Sequence, residues 1–227
     1  MTITGRTRAI STALAIAAAG ALTVASLPAA QAYPPGQNLT VASSSTNVKV
    51  GVSVTLTITK AQPGCTVLID VLGATIPWEG TRTAPGNGRI TLTGSFTRAG
   101  TYRVRATTQT GGGCTSEIAT SNPINVFSAP AAVRNATMRA QSTKARSITV
   151  TWGAATANGS PVTQYIVSVF NRLGGGSAIK SATTNGAARS VSIGGLTSGS
   201  KVYVSIVAKN AAGNGPASAP RIAVTVR

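Results

Sequence analysis

Three carboxylates, Asp70, Glu79 and Glu117, are all that this 227-residue chain offers for acid–base work, and it has no histidine. A Ser-His-Asp relay is therefore impossible, because the proton acceptor that would activate the hydroxyl is missing. Cleavage of a glycosidic bond by paired carboxylates needs two acids held at a defined separation, and nothing in the spacing of these three brings two of them together. Two cysteines, Cys65 and Cys114, are too few ligands for a zinc site when no histidine can join them. No oxygen-rich calcium loop occurs, and no phosphate-cradling glycine loop precedes a helix. Gly111, Gly112 and Gly113 form a flexible loop beside Cys114. The expectation is a non-catalytic protein with no catalytic residues, no metal and no cofactor.

The cysteines have a structural use instead. In an exported chain Cys65 and Cys114 are expected to pair as a disulfide, the alternative being a free thiol nucleophile. Closing a loop of this length restricts the unfolded chain by roughly 4 kcal/mol in the entropy model. Export is expected from residues 1–32, where Arg6 and Arg8 supply a positive start, residues 9–27 an apolar stretch, and Ala30-Gln31-Ala32 a small-residue cleavage site before Tyr33. An uncleaved anchor is the alternative, although the stretch is rich in Ala, Thr, Ser and Gly and only weakly hydrophobic. With no twin arginine, no lipid-accepting cysteine at Tyr33 and no second long apolar segment, no membrane anchor is evident and a secreted, extracellular protein is expected.

Binding chemistry is carried by the cations. The formal net charge is +17, and every charged residue after Ser128, from Arg134 to Arg227, is basic. Such a field attracts anionic polymers, including acidic wall polymers, nucleic acid and acidic glycans, and weakens with salt. A plainer account is that spread positive charge keeps the domain soluble.

Strands must position these groups. Val, Thr, Ser, Gly and Ala dominate, a mixture suited to short strands and turns, and no segment shows helical periodicity. Val52, Val54, Leu56 and Ile58 alternate with polar residues. Further runs follow over 66–72, 89–96, 101–107 and 117–127, separated by Gly, Pro and Asn clusters. After Ser128-Ala129-Pro130, the alternation resumes at Ile148, Val150 and Trp152, at Tyr165, at Val191 and Ile193, through Val202, Val204, Ile206 and Ala208, and at Ile222, Val224 and Val226. The fold class is all-β, two tandem antiparallel β-sandwiches.

Strand phase nominates a contact face. If Tyr165, Val167 and Val169 point inward, then Ile166, Phe170 and Arg172 point outward beside Lys201, Tyr203, Val207 and Lys209. Apolar surface ringed by charge marks a contact with a polymer or protein partner; packing against the first domain explains it equally well. Trp78 is a candidate for stacking on a sugar, or a side chain folded over the sandwich edge. Trp152 belongs in the core.

Two resemblances attach to these residues. Ala99-Gly100-Thr101-Tyr102-Arg103-Val104 resembles the turn and penultimate strand of a bacterial immunoglobulin-like domain over residues 38–127. It implies a tyrosine corner at Tyr102, though Leu56 and Val104 stand where an antibody-type disulfide would need cysteines. In the second half, Val150-Thr151-Trp152, Asn158-Gly159-Ser160-Pro161 ahead of Tyr165, Leu196 before a turn, and the stretch from Asn210 through Gly213 to Ser218 resemble a fibronectin type III domain. That family has a tyrosine where Val202 stands here, so Tyr203, one residue on, is expected to face outward. The resulting plan is a signal peptide over 1–32, a spacer over 33–37, an immunoglobulin-like sandwich over 38–127, a linker over 128–130 and a fibronectin type III domain over 131–227. The resemblance implies a non-catalytic binding, spacing or adhesive role; with the export segment and the basic second half, the expectation is a secreted binding or scaffold protein whose partner is an extracellular anionic cell-envelope polymer or a protein. The alternative is an accessory module in polysaccharide degradation.

Overall fold

Period-two alternation of β-branched residues with Thr and Ser becomes paired strands throughout the computed structural model, which describes residues 38–73 and 79–227. The signal and spacer segments expected over 1–37, and Trp78, lie outside the described residues. Among the described residues the only helical element is one 3₁₀ turn, Asn135–Thr137, and no helix is long and apolar enough to cross a membrane.

Nine strands form the first half: β1 (Thr40–Ser43), β2 (Asn47–Lys49), β3 (Ser53–Thr59), β4 (Thr66–Leu72), β5 (Gly80–Thr83), β6 (Ile90–Ser95), β7 (Gly100–Thr108), β8 (Ile118–Thr120) and β9 (Ile124–Phe127). One sheet has the order β1-β3-β6 and the other β2-β9-β7-β4-β5, with β8 also on β7. Their inward residues, among them Leu56, Ile58, Val67, Ile69, Val104 and Val126, meet in one apolar core. Leu56 and Val104 are both fully buried in it.

Two details differ from the strand pattern read in sequence. Val52 is 50% exposed and precedes β3, because Gly51, at φ +82°, turns the chain and the Val52 amide bonds back to Lys49. The run over 117–127 is broken in two. Pro123 cannot donate to a ladder, and the chain steps from β8 to β9 along the same edge of β7. Ser121 bridges the step: its amide donates to the Val104 carbonyl at 2.8 Å, and its hydroxyl accepts the Val104 amide at 2.9 Å.

The second half contains β10 (Arg139–Gln141), β11 (Ser147–Thr151), β12 (Gln164–Phe170), β13 (Lys180–Asn185), β14 (Ser190–Gly194), β15 (Lys201–Asn210), β16 (Gly213–Asn214) and β17 (Ile222–Thr225). One sheet is β10-β11-β14; the other is β13-β12-β15-β16, with β17 also on β15. Between them lies a second core built on Ile148, Val150, Trp152, Tyr165, Val204 and Ile206. The same edge device recurs: Ser218 donates its amide to the Ile206 carbonyl at 2.9 Å and accepts the Ile206 amide at 3.0 Å. At the core's end the Ala155 amide donates to the Tyr165 hydroxyl at 3.0 Å.

Candidate functional site

The register of β12 on β15 decides which groups share a surface. Tyr165 pairs with Ala208, Val167 with Ile206 and Val169 with Val204, and all six are fully buried. Alternate positions therefore face away from the core. Ile166 stands opposite Val207, Phe170 opposite Tyr203, and Gln164 opposite Lys209. Six of the seven residues named from strand phase thus lie on one outer face, and Arg172 follows just beyond the end of β12. Ile166, Phe170, Tyr203 and Val207 are half-buried, while Arg172, Lys201 and Lys209 are exposed. Val202 fills a core position and Tyr203 lies on the opposite side of the strand.

Neighbouring strands complete the surface. Ser181 and Thr183 of β13 pair with Ser168 and Ile166, and the Ser168 and Ser181 hydroxyls are 3.1 Å apart. On the other flank Ala223 of β17 pairs with Tyr203. Lys201 Nζ lies 6.0 Å from the Tyr203 ring centroid.

One residue of this face is not apparent from strand phase. Arg221, just before β17, lays its guanidinium carbon 3.3 Å from the centroid of Phe170. Its Nη1 donates to the carbonyls of Arg172 at 2.9 Å and Gly175 at 2.7 Å. The contact crosses from the edge of β15 to β12, and no sequence periodicity links positions 170 and 221. Aromatic faces attract guanidinium groups, so the available signal was an arginine at the start of the last strand together with an outward Phe in need of cover.

The carboxylates sit elsewhere and are engaged. Asp70 Oδ2 accepts from Arg105 Nη2 at 2.9 Å and Nε at 3.3 Å. Glu79 Oε1 accepts the Val71 amide at 2.9 Å, and Glu117 Oε2 the Leu39 amide at 3.1 Å. Asp70–Arg105 is the only ion pair among the described residues, so the cations of the second sandwich have no intramolecular countercharge there. No group of three or more His, Cys, Asp or Glu side chains able to hold a metal occurs among the described residues.

Cys65 and Cys114 are bonded, with Cα atoms 5.8 Å apart. Gln62 reinforces the join: its Nε2 donates to the Gly113 carbonyl at 2.9 Å, and its Oε1 accepts the Thr115 amide at 3.0 Å. The bridge thereby fixes the glycine loop to the start of β4 and leaves the middle of the core aliphatic. Tyr102, stacked on Phe96 with centroids 4.7 Å apart, donates its hydroxyl proton to the Arg98 carbonyl at 3.0 Å. This is the geometry of a tyrosine corner.

Comparison with known proteins yields one family. Residues 130–224 match the model described as fibronectin type III domain. No curated protein matches the chain in sequence. Among solved structures the chain is similar to the crystal structure of chicken CNTN1 FN1–FN3 domains, with 16% identity, a TM-score of 0.41, and coverage of 85% of this chain and 69% of that one. Residues 130–224 are a fibronectin type III domain, a common non-catalytic binding or scaffold module.

Proposed function

We propose that this chain is an exported, non-catalytic binding protein that holds anionic cell-envelope polymers on the outer β12–β15 face, with the first sandwich as an immunoglobulin-like spacer. One observation supports this above others: Arg172, Lys201 and Lys209 surround a half-buried apolar and aromatic centre in a domain that contains no acidic residue. Unpaired cations around a low-dielectric surface focus field lines toward an anionic ligand and lose that attraction with salt. The disulfide suits an oxidising, extracellular setting.

The test is binding of the purified protein to an anionic cell-wall fraction and to a neutral glucan, at low salt and at about 0.15 M, where the screening length is about 8 Å. Retention of the anionic fraction at the higher salt, lost on combined Lys201→Gln, Tyr203→Ala and Lys209→Gln substitution, is the expected result. Binding that vanishes above low salt assigns the charge to solubility. Salt-insensitive binding to the glucan would instead place the protein beside polysaccharide-degrading enzymes.

A further inference from the structure

Arg221 is held in a way that a solubilising surface charge does not require. Its guanidinium carbon lies over the Phe170 ring, 3.3 Å from the centroid, and its rotation is set by two carbonyls that both take Nη1. A guanidinium carries five N–H donors in a fixed fork. Nε and Nη2 donate to no described residue, which leaves the edge suited to two-pronged recognition of an oxyanion unused. The side chain is partly exposed. Much of the entropy normally lost in ordering an arginine on a ligand has been lost already in folding.

The surroundings extend this edge into a track. Arg172, whose carbonyl helps to hold Arg221, and Lys201, set against Tyr203, stand at the same end of the sheet. Neither ammonium nor guanidinium of these two residues meets a carboxylate. Lys209 lies at the other end of β15, eight positions from Lys201, or roughly 27 Å at the usual strand rise. A small anion cannot span that distance, whereas a chain with an anion on each repeat can. Beside the cations run hydroxyls on Ser168, Ser181 and Thr183, which match hydroxyls on the ligand.

Resting on the polyanion function proposed above, we infer that Arg221, with Arg172 and Lys201, forms a phosphodiester subsite for a polyol-phosphate chain laid along β15 toward Lys209. Stacking on aromatic rings is how single-stranded nucleic acid is held without sequence preference. Here the Phe170 ring is capped by Arg221 and the half-buried Tyr203 ring has Lys201 Nζ 6.0 Å from its centroid, so cations and hydroxyls, more than a free ring, define the ligand.

The test uses poly(glycerol phosphate) as the probe, titrated into the whole protein at about 0.15 M salt. Arg221→Lys keeps the charge but removes the planar fork, and is expected to weaken binding by about tenfold. Lys144→Gln removes a full charge from the turn between β10 and β11 on the other sheet, and is expected to weaken it by less than about twofold because the site is remote. Diffuse attraction predicts the reverse order. Equal melting temperatures establish that both variants fold. In the unsubstituted protein, the NMR resonance of Arg221 Nε–H is expected to shift on saturation, a readout that survives if Arg221→Lys does not fold. An unmoved Nε–H, or a larger loss from Lys144→Gln, would overturn the subsite while leaving polyanion binding in place. Preference for duplex DNA or polyglutamate over poly(glycerol phosphate) would overturn the ligand assignment. Failure to bind any polyanion would overturn the proposed function as well.

Discussion

The side-chain amide of Asn210 donates to the carbonyl of Ser128 at 2.8 Å, joining the last residue of β15 to the chain just beyond β9. The same Nδ2 donates to Ala157 at 3.0 Å and Ser160 at 3.2 Å, and Oδ1 accepts the Ala212 amide at 2.8 Å. Asn210 is 3% exposed, so every polar atom of a buried side chain is satisfied by backbone. Asn210→Ala removes all four contacts and is expected to cost about 2–3 kcal/mol, read as a lowered urea midpoint. Asn210→Asp turns an acceptor toward those carbonyls. The new carboxyl is then easier to protonate folded than unfolded, so this variant is expected to be nearer wild-type stability at pH 4 than at pH 7.

The loop that Asn210 grips leaves no room for a side chain. Gly159 has φ +85°, and a Cβ there would lie 2.8 Å from the Val126 carbonyl and 3.2 Å from Phe127. Its neighbour Asn158, also at positive φ, accepts the Ser128 amide and donates to the Ala129 carbonyl. Gly199 has a similar φ of +77° but open space around it. Gly199→Ala is expected to cost about 1 kcal/mol from backbone conformation alone. Gly159→Ala is expected to cost about 1–2 kcal/mol more through the added collision, and equal melting temperatures for the two variants would contradict this.

Ser121 and Ser218 each cover a buried strand amide, at Val104 and Ile206 respectively, and both serines are at most 2% exposed. Alanine at either position leaves that N–H without its side-chain acceptor, at an expected cost of about 1–3 kcal/mol. Amide hydrogen exchange at Val104 in Ser121→Ala, and at Ile206 in Ser218→Ala, should accelerate selectively. Unchanged exchange would mean that each strand finds another partner.

The disulfide spans 49 positions, and a closed loop of that length limits the unfolded ensemble by about 4 kcal/mol. Reduction, or Cys65→Ser with Cys114→Ser, should lower the denaturation midpoint of the first half. Binding to the anionic probe should be retained, since the proposed contact face lies in residues 164–221. Lost binding in the reduced protein would tie the face to the first sandwich.

The acidic residues separate a structural role from a catalytic one. Glu79→Gln and Glu117→Gln each keep an oxygen that can accept the same backbone amide, and Asp70–Arg105 is a partly exposed pair with side chains 31% and 44% accessible. Each of Asp70→Asn, Glu79→Gln and Glu117→Gln is therefore expected to change stability by less than about 1 kcal/mol, and to leave polymer binding unaltered. A hydrolytic activity lost in any of the three would overturn the non-catalytic assignment.

Sequence alone determined the all-β class and the pairing of inward with outward positions wherever apolar residues recur at period two. Val202, Val204, Ile206 and Ala208, with Tyr165, Val167 and Val169, announce their buried side and thereby the outward position of Phe170 and Tyr203. The disulfide was legible because a chain with only two cysteines has one possible pairing. β10 and β13 were not legible. Arg139–Gln141 and Lys180–Asn185 are short or polar edge strands whose pairing comes from neighbours and not from an apolar stripe of their own. Tertiary structure alone decided that Arg221 rests on Phe170 and that Asn210 grips Ser128, 51 and 82 positions apart in sequence. Alternation is a local property of the backbone, set by the pleat; such side-chain contacts exist only after strand order and register have brought remote segments together.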